Sequence, residues 1–136
     1  MSNSPKISIV VLSLNGEKVI AQCLSSLEKT EYPNMETLVV NNGSSDKTPE
    51  IVSGQFPKVR LINLPNNRGF AGGNNIGMKE STGDVVILLN DDTTVKPDWV
   101  SELVTEMQKH YRIGIAGCKI YYPDGKTLQH AGGYIN

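Results

Sequence analysis

The chain has 136 residues, 38% of them hydrophobic and 20% charged, with a formal net charge of -1. That length and balance suit one globular domain able to bury a core without disulfide or metal staples. The small net charge gives a nucleic-acid partner no electrostatic footing, and no apolar run is long enough for a signal-peptide core or a membrane span.

The first apolar block, residues 7–12, is short and apolar on both faces, as in a strand of a parallel sheet covered by helices. Val19, Ile20, Cys23, Leu24 and Leu27 then fall on one stripe at helical spacing. A second strand is expected at 37–40. After it Asp46 or Ser45 caps a shorter helix running through Ile51 and Val52. A third strand spans 59–64. The glycine-rich "GFAGGNNIGMKESTG" is a poor helix former, yet Ile76, Met78 and a stop at Gly83 allow a helix there.

The fourth strand, 85–89, runs straight into Asn90, Asp91 and Asp92. Pro97 at a favourable first position, with Asp98 and Glu102 near the start, opens a helix carrying Trp99, Val100, Leu103, Val104 and Met107. Lys109 and His110 fall in its last turn. A further strand is expected at 113–116, then a short strand, a tight turn at Pro123-Asp124-Gly125 and another extended piece. Cys23 and Cys118 lie far apart with no metal-ligand spacing and read as buried, reduced thiols. The pattern breaks off at Asn136 in an extended segment, which reads as a piece of something longer.

Strand–helix repeats predict an α/β domain over 1–136, with an open, mainly parallel sheet and right-handed crossovers that place helices on both faces. In such sheets ligands bind beyond the carboxyl ends of the strands. Polar clusters follow those ends: "SLNGE" at 13–17, "NNGSSD" at 41–46, "PNNRGFAGGNN" at 65–75 and "NDDT" at 90–93. Adjacent carboxylates repel, so Asp91 and Asp92 call for a cation, and hard oxygen ligands suit Mg²⁺ or Mn²⁺ with a phosphate completing the shell. The competing reading is a solvated turn with a helix-capping Asp.

A side-chain amide at Asn41 or Asn42 can pair with the edge of a uracil or thymine; the alternative is an amide tying down its own loop. Gly69, Gly72 and Gly73 would let backbone approach a ligand closely, Arg68 can meet a phosphate, and Asn75 closes the same cluster. No GxGxxG or Gly-Lys-Ser/Thr is present, which turns the reading away from dehydrogenases and P-loop NTPases.

Taken together, "ISIVVLSLNGEKVIAQCLSSL", "LVVNNGSSD", "NRGFAGGNNIGMKESTGDVVILLNDDTTVKPDWV" and "YYPDGKTLQHAGG" resemble the family 2 glycosyltransferases of the GT-A fold, most of all their bacterial rhamnosyltransferase-like branch. The resemblance runs from Lys6 to Gly133. It implies inverting transfer from a nucleotide-diphosphate sugar, a dTDP- or UDP-sugar, to a saccharide or lipid-linked acceptor in cell-surface polysaccharide synthesis, with a divalent cation on the diphosphate.

By the same resemblance Asp92 is the metal-binding acid, Asp91 lies near the ribose and Asn42 reads the base edge. Ser13, Leu14, Asn15 and Glu17 form the first nucleotide-contacting loop. Many relatives have Asp at the position of Asn41 and an aromatic at that of Leu14, so base stacking here should be weaker or supplied from elsewhere. His130 fits the family pattern, better as a loop-tying imidazole than as a third metal ligand.

The family's catalytic base lies downstream, in the acceptor-binding half, and no residue here is a candidate for it. The expectation is a cytoplasmic donor-binding portion, at the inner face of a membrane only through segments absent from this chain, and inactive alone. Two rivals remain: a non-catalytic nucleotide-sugar binding module, and a nucleotidyltransferase. The second is disfavoured because "VVLSLNGE" lacks the expected glycine-rich, basic loop.

Overall fold

Short runs of Val, Ile and Leu become hydrogen-bonded parallel strands in the structure, a computed structural model that describes residues 4–131. These are β1 (Ile7–Ser13), β2 (Met35–Asn41), β3 (Arg60–Asn63) and β4 (Val85–Asn90), joined through α1 (Ile20–Leu27), α2 (Thr48–Gln55) and α3 (Gly69–Glu80). The strand order is β3-β2-β1-β4, with every pairing parallel. The expected α/β architecture is therefore present.

That order fixes where the helices lie. From β1 to β2 to β3 the chain steps in one direction, so right-handed crossovers place α1 and α2 on one face, where they touch each other. From β3 it returns past β2 and β1 to add β4, which sends α3 to the other face. The glycines of α3 confirm this side. A Cβ on Gly77 would overlap Val10 Cγ1 and lie 3.1 Å from Val40 Cγ2, and one on Gly73 would overlap Leu12. The poor helix former is thus a helix because its small residues let it sit directly on β1 and β2.

Alternate residues of β1 divide between the two faces. Val10 meets α3, while Ile7, Ile9 and Val11 lie on the opposite face, and all are fully buried. Cys23, Leu24 and Leu27 of the first helical stripe are buried as expected. Opposite the C-terminal rim, Glu36 ties the strand starts together: its Oε1 accepts from Ser8 Oγ at 2.6 Å and from Thr82 N–H and Oγ1 at 2.8 Å. Burial alone would raise this carboxyl, but these bonds and the Lys6 charge hold it below its ordinary 4.5.

The chain divides into two compact units after Pro97. The second holds α4 (Trp99–Lys109) and a two-stranded antiparallel pair, β5 (Ile120–Tyr121) and β6 (Leu128–His130). Asp124 Oδ1 accepts the N–H groups of Lys126 and Thr127 at 2.8 Å, closing the expected turn.

Several expectations need correction. Residues 113–116 are not a strand: they carry no regular structure, and Ile115 is almost fully exposed. A strand exists only through a paired neighbour, and among the described residues this run, interrupted by Gly114, has none. Pro97 precedes the helix instead of opening it, because Asp98 is the N-cap, and His110 lies just beyond its end. Cys118 is exposed, not buried, while both cysteines are free as expected.

Among the described residues no helix is long and apolar enough to cross a membrane. Gly132 and Gly133, the end of the "QHAGG" stretch, and the last residues of the expected 1–136 domain lie outside the described residues.

Candidate functional site

The strand order reverses between β1 and β4, because connections leave β1 toward one side and β4 arrives on the other. This is the switch point at which an open parallel sheet leaves a crevice. A cavity of about 370 Å³ opens there. Leu12 and Leu14 line it from the end of β1, and Asn90, Asp91 and Asp92 from the end of β4. Asn42, after β2, and Asn67, Gly69 and Phe70, at the entry to α3, complete the wall.

The two aspartates differ in setting. Asp91 is half-buried, and its Oδ2 accepts from Ser13 Oγ at 2.5 Å across the β1–β4 pair. Burial pushes its carboxyl above the ordinary 3.8; the Ser13 hydroxyl pulls down against this, and the charges of Asp92 and Asp46 push further up. Asp92 is exposed on the cavity wall. Beneath them the Cys23 thiol donates to the Asn90 carbonyl at 3.7 Å. Burial, only partly offset by a hydrogen bond with Thr93 and reinforced by both aspartates, pushes this thiol up to about 11. It stays protonated and packs the strand end.

On the other side of the cavity the polar groups are bonded to one another. Asn42 is 3% exposed. Its Nδ2 donates to Asn67 Oδ1 at 3.0 Å and to the Gly69 carbonyl at 3.2 Å, and its Oδ1 accepts the Arg68 N–H at 2.8 Å. Asn41 donates to Asn63 Oδ1 and accepts from the Ser44 N–H.

Asn15, at φ 54, accepts the Ser45 N–H, and its own N–H donates to Ser44 Oγ. Glu17 accepts the Lys47 N–H and donates its N–H to Asp46, whose other oxygen accepts the Thr48 N–H. Neither Ser45 nor Asp46 is the N-cap of the second helix: that position is Lys47, and Asp46 closes a turn just before it. Gly43 makes the clasp possible: its φ is +80, and a Cβ there would lie 2.7 Å from the Asn66 carbonyl carbon.

Among the residues singled out in the sequence, Leu14, Asn42, Asp91 and Asp92 line one cavity. Ser13, Asn15, Glu17 and Asn41 stand behind it, engaged with Asp91 or with the neighbouring loops. Gly73 faces Leu12, so its missing side chain lets the helix pack against β1. Arg68 and Asn75 are exposed and outside the cavity lining, and His130 lies exposed in the second unit.

Sequence reasoning passed over Asn67 and Phe70. Phe70 had a signal: it is a lone large apolar residue among glycines and asparagines, on no core stripe. Asn67 had none, since its role depends on meeting Asn42 across 25 residues.

Comparison with known proteins gives a consistent result. The family model described as glycosyl transferase family 2 matches residues 8–133. The O-antigen biosynthesis protein RfbC of Myxococcus xanthus is 34% identical over 95% of this chain and 10% of its own length. A poly-beta-1,6-N-acetyl-D-glucosamine synthase of Staphylococcus epidermidis is 32% identical over 79% of this chain and 27% of its own. The crystal structure of S. aureus TarS 1-349 in complex with UDP-GlcNAc superposes with a TM-score of 0.72 at 27% identity, covering 78% of this chain and 32% of that one. The chain thus spans about a third or less of the length of each.

Proposed function

The chain belongs to glycosyl transferase family 2, and from that premise we propose that the cavity between the ends of β1 and β4 holds the nucleotide-diphosphate sugar donor of an inverting sugar transfer. The observation that carries this reading is the pair Asp91 and Asp92 at the sheet's switch point, on the wall of a cavity they share with Leu14. The solved relative in complex with UDP-GlcNAc supports a uridine donor, and thymidine offers the same base edge. The names of the O-antigen and poly-N-acetylglucosamine relatives support a saccharide or lipid-linked acceptor in surface polysaccharide synthesis. Placement in the rhamnosyltransferase-like branch rests on the ordered motifs between Lys6 and Gly133 taken together, and a cytoplasmic setting is where we place this donor chemistry.

The donor set fits a divalent ion that arrives with its ligand. Among the described residues no group of three or more His, Cys, Asp or Glu could hold a metal ion alone. Mg²⁺ and Mn²⁺ are commonly held by one or two carboxylates plus substrate phosphates, which is what Asp92 with Asp91 beside it can offer. When bound, such an ion supplies Lewis-acid stabilisation of the charge developing on the departing diphosphate. Ser13 holds Oδ2 of Asp91 and leaves its other oxygen for a ribose hydroxyl.

Calorimetry with UDP and dTDP, each with and without Mn²⁺, tests the reading. The expected outcome is synergy: nucleotide and metal bind far more tightly together than either does alone. Absence of binding by every nucleotide in Mn²⁺ sinks the donor-site assignment.

A further inference from the structure

We propose that Phe70 is the aromatic face on which the donor's nucleobase stacks, with Leu14 as its apolar neighbour; this deepens the donor-site reading and rests on it. Phe70 is 68% exposed and Leu14 43% exposed, and both line the cavity. An isolated exposed apolar side chain needs no explanation. These two are not isolated, because Leu12 lines the same wall.

The placement of Phe70 follows from its helix. It lies three and seven residues before Gly73 and Gly77, which are seated on Leu12 and Val10. Residues at that spacing share a helix face. The face of α3 that packs on the sheet therefore continues past the end of β1, and Phe70 is its last member, with no strand beneath it.

The backbone under the ring is held firmly. Asn67 Oδ1 accepts the Gly69 N–H at 2.8 Å, Asn42 holds Arg68 and Gly69 from the other side, and Asn74 Nδ2 donates to the Phe70 carbonyl at 3.0 Å. This gives the saturated amide of Asn42 a purpose within a binding site. It has no donor left for a base edge, but it mounts the aromatic ring.

Connectivity of the ligand identifies the occupant. If the diphosphate lies at Asp92 and the ribose at Asp91, the base must continue away from Asp92, toward the Asn42–Phe70 wall. A flat π face suits a flat apolar ring, and stacking of this kind tolerates different bases because each offers such a face. Phe70 thereby supplies the stacking that an aromatic at the position of Leu14 would otherwise give.

The test compares UDP and dTDP with ribose 5-diphosphate, which lacks a base, by calorimetry in Mn²⁺. Phe70→Ala is expected to weaken UDP and dTDP by about 5- to 100-fold, as for loss of one stacked base, and to leave ribose 5-diphosphate unchanged. Phe70→Trp is expected to retain UDP binding, with Phe70→Leu between the two, so the series stands even if one variant folds poorly.

Unchanged UDP affinity in Phe70→Ala overturns the proposal. So does an equal loss for the base-free ligand, or a loss seen with UDP-sugar but not with UDP, which would assign the ring to the sugar. No nucleotide binding by the unaltered chain removes the donor-site reading and this inference together. Wild-type binding that ignores Phe70 removes this inference alone.

Discussion

The two sides of the cavity are built from similar residues and do opposite things. Beside β2, the buried amides of Asn41 and Asn42 direct their hydrogen bonds to neighbouring loops. Beside β4, Asp92 faces the cavity exposed. Buried polar groups must find partners within the protein or cost the full desolvation of the group. A group still facing solvent at a strand end is one that a ligand can take. The difference teaches that polarity at the rim does not mark a contact residue; what marks it is capacity left unspent.

The largest test of that contrast changes the open side. Asp92→Ala is expected to lower UDP affinity in Mn²⁺ by about 100-fold or more, since the carboxylate proposed to meet the metal is lost. Its Tm should stay level or rise slightly, because the variant relieves repulsion with Asp91. A nucleotide affinity equal to that of the unaltered chain would show that the metal lies elsewhere.

The closed side should answer in the other measurement. Asn42→Ala removes three hydrogen bonds and strands the part-buried Arg68 N–H, a cost of about 2–3 kcal/mol. For a domain of this size that is a fall in Tm on the order of 10 °C. Weakened nucleotide binding with an unchanged Tm would reverse the assignment and make Asn42 a contact residue.

The smallest effect sharpens the comparison at the far end of the sheet, where Glu36 is a carboxylate engaged by the protein itself, through three hydrogen bonds to Oε1. Its folded pKa lies below 4.5. Its stabilising contribution is therefore complete above that value and lost as pH falls through the folded pKa. Glu36→Gln cannot titrate. The gap in Tm between the unaltered chain and this variant should be constant near neutrality and close as the solution is acidified below about 4.5. A gap that stays constant into acid would show that the hydrogen bonds at Glu36 do not favour its charged form.

Much of the fold was legible because strand and helix here are local properties. Apolar blocks with turn residues between them mark β1 to β4, and the stripe from Val19 to Leu27 marks α1. The run at 113–116 was misread for the same reason: its composition is that of a strand, but pairing is not written in composition. The candidate site was half legible. Asp91 and Asp92 stand out because two charges follow an apolar run, whereas the bonded amide of Asn42 and the exposed ring of Phe70 could be told apart only in the folded chain.

The sequence by itself determined the α/β class, the order of elements and the family, because these follow from periodicity and from ordered motifs along the chain. The tertiary structure decided which polar residues remain available. It brings Ser13 to Asp91 across 78 residues and Asn42 to Asn67 across 25, and a hydrogen bond between residues distant in sequence consumes a donor or acceptor that no local pattern can show to be spent.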